Sequence, residues 1–251
     1  MIIFMTGTRV VGMQSDRRDA IDLTVMWAMH DALRRELAHL DRITTAADRD
    51  TQRVLATAAG WRMFKQALHA HHSAEDDALW PALRRSLAGH PPELALLEAL
   101  EAEHAAIRSV IEAIDAALAD PQVAPAQLGD LTDALTTGLA GHLSHEEGGA
   151  LPLIQRALTA EQWGRFGHVH AQHIARDAPV LLPWLLDGAD EETVAKLLGP
   201  LSAATRAACT DEWLPAYIAL DRWSPGTAGR PSAGPAGALT HLRVRGRDAR
   251  R

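Results

Sequence analysis

The sequence predicts an all-α protein built on an up-and-down four-helix bundle, in which the second pair of helices repeats the first. Three observations predict this class: a composition that favours helices, four long segments with apolar residues at steps of three and four, and a His/Glu motif that occurs twice. Hydrophobic residues make up 47% and charged residues 23% of the 251 residues, which is typical of a folded globular protein. Ala, Leu, Arg and Glu dominate, whereas runs of β-branched residues are few and Asn-Gly hairpin turns are absent.

Each of the four segments carries its apolar residues on one helical face. In the first segment this stripe runs from Leu23 to Leu40. Pro91 and Pro92 mark the start of the third helix, because proline suits the first helical turn, and a proline-bounded loop precedes the fourth. Short connections make consecutive helices antiparallel. The four predicted helices span residues 19–41, 51–87, 92–120 and 125–147.

Histidine and glutamate interrupt these stripes at positions that should be apolar. His71 and Glu75 lie on the second stripe, and His142 and Glu146 lie on the fourth. A carboxylate buried without a partner costs roughly several kcal/mol, so a bundle core must compensate these groups. A pair of metal ions would do so, because carboxylates and neutral imidazoles are metal ligands. The alternative is a set of core histidines held by neighbouring carboxylates in a complete hydrogen-bond network.

The motif is duplicated. The segments HHSAEDDALWP (71–81) and HLSHEEGGALP (142–152) share His-x-x-x-Glu-acid and a later Pro, at an offset of 71 residues. His30 and His104, on the first and third stripes, are 74 residues apart, so helices one and two recur as helices three and four. Residues i and i+4 share one helical face, so the His and Glu of each motif converge inside the bundle. The predicted metal ligands are His30, His71, Glu75, His104, His142 and Glu146.

These residues resemble the hemerythrin family, in particular its bacterial HHE cation-binding branch, over about residues 20–155. The two motif segments look like the family's metal-binding helix motifs. His30 in MWAMHDALRREL looks like its first-helix ligand, and His104 in EAEHAAIRSVI looks like its third-helix ligand. The resemblance implies a cofactor of two iron ions, a non-haem di-iron centre bridged by the two carboxylates. Ligand types alone leave iron, manganese and zinc open.

One position departs from the family pattern. The oxygen-carrying hemerythrins have a further histidine one turn before the third-helix ligand, where this chain has Leu100. The iron on that side is therefore expected to lack a nitrogen ligand and to keep an open or water-filled position, unless Glu101 fills it; the other interpretation of Glu101 is a solvated residue.

Other histidines near the motifs are interpreted individually. His69 and His72 lie off the inward stripe and are predicted on the flank or surface, with His72 as an alternative to His71 in the ligand set. His145 and Glu147 are either solvated or partners that orient a ligand ring.

The remaining chain divides into a helical extension, residues 158–223, and two termini. The extension is expected to be structural, as a lid or a homodimer surface, with a binding role as the open alternative. Trp163, Trp184, Trp213 and Trp223 suggest that it packs on the bundle (residues 19–157). His168, His170 and His173 cluster there, but no carboxylate lies at ligand spacing, so a helix face is favoured over a second metal site.

Residues 1–18 are predicted to be a flexible N-terminus and 224–251 a disordered tail rich in Gly, Pro and Ala. Six Arg and one Asp give that tail a local charge of +5, which leaves −12 for residues 1–223. An acidic body argues against nucleic-acid binding by the main fold. The single cysteine, Cys209, precludes an internal disulfide, and neither a leader nor a long apolar span is apparent, so a cytoplasmic location without membrane attachment is expected.

Iron with mixed imidazole and carboxylate ligands suits dioxygen, nitric oxide or peroxide as the small ligand. The first hypothesis is a protein that binds or senses dioxygen or nitric oxide. The second is a di-iron enzyme that decomposes hydrogen peroxide or oxidises a substrate with dioxygen, which the missing fifth histidine favours. Iron storage has least support, because nothing suggests a cage-forming surface. The predicted apolar wall of the ligand pocket consists of Trp27, Leu33, Phe64, Leu100 and Leu139.

Overall fold

The computed structural model describes residues 21–44 and 49–223, and every regular element in these ranges is helical. The prediction of an all-α protein is therefore confirmed. The predictions for residues 1–18 and 224–251 lie outside the described residues. The α-helices are α1 (Thr24–Thr44), α2 (Arg49–Thr57), α3 (Ala59–Ala74), α4 (Trp80–Ser86), α5 (Pro91–Ala119), α6 (Pro125–Ala157), α7 (Ala160–Ile174), α8 (Ala178–Leu186), α9 (Glu191–Leu198), α10 (Ala203–Ala208) and α11 (Leu214–Ala219).

The helix predicted over residues 51–87 is interrupted twice. Ala58 has an extended backbone (φ −60°, ψ 127°), which separates α2 from α3. A π-helical turn, Glu75–Leu79, then joins α3 to α4, and the N–H of Trp80 donates to the carbonyl of Glu75 five residues back. Pro81 follows directly; proline lacks an N–H and clashes with the carbonyl four residues back, so a widened turn before it relieves both problems. The π turn thus begins at a predicted metal ligand.

The core consists of two apolar clusters. Cluster 1 includes Leu33, Leu68, Ile107 and Leu139, and cluster 2 includes Met26, Leu79, Leu100 and Ala150. The chain passes from cluster 2 to cluster 1 along α1 and α5, and from cluster 1 to cluster 2 along α3 and α6. The predicted metal ligands on these helices lie between residues of cluster 1 and residues of cluster 2. They therefore form one polar layer across the middle of the core.

The helices of the predicted extension pack on this core. α7 contacts α3 and the π turn, whereas α8 and α9 contact α1. The indole N–H of Trp223 donates to the buried carboxylate of Glu36 at 2.8 Å, and the N–H of Gly60 donates to the carbonyl of Arg222 at 2.6 Å. A Cβ atom on Gly60 would clash with the Trp223 ring, so a larger residue here would have to displace the indole.

Among the helices in the described part of the chain, none is both long and apolar enough to cross a bilayer.

Candidate metal centre

Seven buried side chains meet in the polar layer and form two groups of potential metal ligands. Within each group the ligand atoms lie within 4.8 Å of one another. Group A consists of His30, His71, Glu75 and Glu146, and group B consists of His72, His104 and His142. None of the seven is more than 6% exposed. The structure therefore brings all six predicted ligands together and adds His72.

The prediction that His72 lies on the flank or surface is wrong. Its ring stacks on that of His104, with centroids 3.8 Å apart and planes 10° apart. His71 and His72 are successive residues and project about 100° apart on the helix, so each reaches a different group. His72 therefore joins His71 in the layer and does not replace it, whereas His69 is exposed as predicted.

His72 also changes the interpretation of Leu100. Leu100 is fully buried in cluster 2, and group B contains three imidazoles because α3 supplies the one that α5 lacks. The structure thus offers a third imidazole nitrogen on this side, in contrast to what the leucine at residue 100 led us to expect. Glu101 does not fill the position either, because its carboxylate accepts a hydrogen bond from Arg84 at 2.6 Å.

The two buried carboxylates lie between the groups. Glu75 Oε1 is 3.3 Å from His71 Nε2, and Glu75 Oε2 is 3.4 Å from His104 Nε2. Glu146 Oε2 is 3.3 Å from His30 Nε2 and 3.9 Å from the Nε2 atom of His142. Two ligands bound at right angles about 2.1 Å from one ion lie about 3 Å apart, so these are separations expected around a metal. Both carboxylates are placed to serve both groups.

The donor atoms of this layer have no hydrogen-bond partner among the described residues. The Nε2 atoms of all five histidines and all four carboxylate oxygens are buried and make no hydrogen bond. Each such atom costs about 1–3 kcal/mol in a metal-free core. A complete hydrogen-bond network, the alternative considered from the sequence, is therefore not what the structure contains. The donor set fits metal ions.

Carboxylates behind the layer orient two of the imidazoles in equivalent ways. His30 Nδ1 donates to Glu147 at 2.8 Å, and His104 Nδ1 donates to Asp76 at 2.9 Å. Arg34 also binds both oxygens of Glu147, at 2.7 and 2.9 Å. Such contacts hold a histidine with Nε2 towards a metal. In each repeat, the acid that follows the motif glutamate therefore orients the histidine of the other repeat.

A third such contact involves Glu103. Its carboxylate accepts from His142 Nδ1 at 2.9 Å and from His145 Nδ1 at 2.8 Å. The sequence suggested an orienting role for Glu147 and His145 but not for Asp76 or Glu103. The acid that follows the glutamate in both motif copies was a sequence signal for the role of Asp76. The sequence contains no such signal for Glu103, because its contact joins two different helices.

Burial and neighbouring charges shift the pKa values in the layer. Burial raises the pKa of Glu75 to about 8, and the adjacent Glu146 carboxylate adds to this. Burial acts in the same direction on Glu146, but the nearby His30 lowers its pKa below the ordinary value. Burial alone would lower the pKa of His30, yet the carboxylates beside it outweigh this and raise it to about 9. Burial keeps the pKa of His71 well below its usual range, so this ring is a neutral donor.

Four of the five predicted wall residues, Leu33, Phe64, Leu100 and Leu139, are buried. The prediction for Trp27 is wrong, because its side chain is 42% exposed. It lies in a groove between α1 and residues 185–193 rather than in the core.

The three histidines of the extension diverge. His168 pairs with Gln172 at 3.1 Å, and His173 pairs with Asp77 at 3.1 Å. His170 instead turns inward, where its ring meets that of His71 edge to face at a centroid distance of 6.2 Å. Burial lowers its pKa to about 4. Within the described residues, the three do not belong to either group of potential metal ligands.

Comparison with known proteins bears on the same segment. The family model described as the hemerythrin HHE cation binding domain matches residues 22–154, which is more than half of the chain. Neither the curated proteins nor the solved structures gave a match. All seven residues of the polar layer lie within the matched segment. The chain therefore belongs to the hemerythrin HHE cation-binding family.

Proposed function

We propose that this chain is a non-haem di-iron protein that binds or senses dioxygen or nitric oxide, with one iron ion at group A and one at group B. The observation that carries the proposal is the set of nine buried, unpaired donor atoms from five histidines and two glutamates. A protein of marginal stability would not retain such a layer without something that repays its cost.

We further propose that α1, α3 with α4, α5 and α6 form the up-and-down four-helix bundle of the family. The alternating order of the two apolar clusters along these helices supports this topology. The bundle holds the ligand layer at mid-length, with an apolar cluster on either side to keep water away.

The donor count favours an open position at group A. Group B has three imidazoles and shares the two carboxylates, whereas group A has two imidazoles and the same carboxylates. Iron in such sites takes up to about six ligands, so group A leaves more room for a small ligand. Ferrous ions bound there would supply the electrons and open coordination positions that dioxygen or nitric oxide requires.

The residues around the layer have defined tasks. Glu147, Asp76 and Glu103 each accept a hydrogen bond from Nδ1 of one layer histidine. This contact fixes the ring and leaves Nε2 free for the ion. The buried side chains of Leu33 and Leu139 keep water away from the layer, which would slow the autoxidation of bound ferrous iron.

The alternative is an enzyme that decomposes peroxide or oxidises a substrate. The leucine at residue 100 does not favour it, because group B offers three imidazoles when His72 is included. It now depends on the lower donor count of group A, which leaves room for peroxide. A cytoplasmic location and a homodimer stay predictions.

The test is optical. The protein is loaded with ferrous iron without oxygen, the iron content is measured, dioxygen is added, and the near-ultraviolet and visible charge-transfer bands are followed. A band that persists and disappears on degassing supports reversible binding. A band that decays to a stable oxidised state supports the enzyme instead, and absence of any band in iron-loaded protein contradicts both.

A further inference from the structure

The segment after the family match places one more histidine at the site. His170 lies on α7 and is 9% exposed, and its Nε2 atom is buried without a partner. Within the described residues, the other histidines with a buried, unpaired Nε2 are the five of groups A and B. A buried imidazole nitrogen without a hydrogen bond is costly, so His170, like those five, calls for a bound partner.

The position of His170 is specific to group A. Its ring meets His71 of group A, and α7 packs on α3 and on the π turn that begins with Glu75. Phe166, one turn earlier on α7, is also buried and lies 6.3 Å from the His170 ring. The inward face of α7 thus puts one polar group and one aromatic ring over the side of the layer that has fewer donors.

His170 is too far out to be a member of the ligand set in this geometry. It does not belong to group A, whose ligand atoms all lie within 4.8 Å of one another. Its ring centroid is 6.2 Å from that of His71, compared with 5.3 Å between His30 and His71. The spacing suits a residue that contacts something bound at the metal rather than the metal itself.

We propose that His170 is a distal histidine, which closes the site from α7 and hydrogen-bonds to a small anionic ligand held at the open position of group A. This inference rests on the proposed function, since it requires iron at group A. It gives part of the C-terminal extension the binding role that the sequence left open beside a structural one.

The proposal is tested by measuring azide binding to the iron-loaded, oxidised protein. Iron per chain is measured first, and azide is then titrated against its charge-transfer band for the wild type and three variants. His170→Leu removes the hydrogen bond, His170→Gln retains a donor, and His168→Leu, an exposed position on the same helix, is the matched control.

We expect all four proteins to bind the same amount of iron. His170→Leu should weaken azide binding about tenfold or more, since a hydrogen bond to a charged ligand is lost, while His170→Gln recovers most of the affinity and His168→Leu leaves it unchanged. Unchanged azide affinity in His170→Leu overturns the proposal. Loss of iron in His170→Leu also overturns it, because His170 would then be a ligand. Failure of the wild type to bind iron is a different result, which refutes the proposed function.

Discussion

Replacing His72 with leucine should change the metal-free and metal-loaded proteins in opposite directions. In the metal-free protein, His72 is 6% exposed and its Nε2 atom has no partner, a cost of about 1–3 kcal/mol. Leucine has no polar atom to bury, so the free energy of unfolding of metal-free His72→Leu should rise by about 1–3 kcal/mol. In the loaded protein the same change removes one of three imidazoles from group B. Loss of a residue that only orients a ligand costs about 10–100-fold in metal affinity, so loss of a ligand should cost more.

Two measurements check this prediction. Urea unfolding of metal-free protein gives the change in stability, and competition with a chelator gives the iron affinity of each site. His69→Leu, at an exposed position on the same helix, is the control and should change neither. The reasoning is refuted if metal-free His72→Leu is less stable than the wild type, or if both irons are held as tightly as before.

Three further predictions follow from the layer and its supports. Glu147→Gln should lower the affinity for iron about 10–100-fold, because the ring of His30 loses its hydrogen bond to a carboxylate. Chelator competition measures the affinity, and an unchanged value would contradict the orienting role of Glu147. The pKa values of His30 and Glu75 are raised to about 9 and about 8, so both groups carry a proton at pH 7 that iron must displace. The apparent affinity for iron, measured by chelator competition, should therefore rise with pH up to about 9 and then level off. A flat pH profile would count against this protonation of the layer. Gly60→Ala should destabilise the protein by about 1–3 kcal/mol, because its methyl group clashes with the Trp223 indole. Gly138→Ala, in open space on α6, should stabilise it by about 0.5–1 kcal/mol. Similar melting temperatures for the two variants would show that the indole moves aside at little cost.

The residues that could be predicted are those whose placement depends on local periodicity. Glu75 follows His71 by one helical turn, and Glu146 follows His142 in the same way, so any helix with the right face inward brings them together. The duplication added independent evidence, because two weak motifs at one offset are far more specific than either alone. The start of α5 at Pro91 was equally local.

The residues that could not be predicted depend on contacts between distant segments. A single apolar stripe assigns one inward face to α3, so His72 was placed outside it; the inward face is wider because other helices cover both sides of α3. His170 reaches His71 only because α7 folds back across about a hundred residues of chain, and Glu103 meets His142 only where α5 and α6 pack. None of these contacts leaves a periodic signal.

The imperfect repeat of the His/Glu motif parallels the unequal composition of groups A and B. The equivalent pairs Asp76 with His104 and Glu147 with His30 show that the repeats still support each other symmetrically. The repeats differ at the residue after the motif histidine, which is His72 in the first copy and Leu143 in the second, and Leu143 is fully buried in cluster 1. His72 therefore gives group B a third nitrogen, while the equivalent place beside group A is apolar. Both carboxylates lie close to both groups, so this difference leaves group A with one imidazole fewer than group B, and group A is the side that α7 contacts.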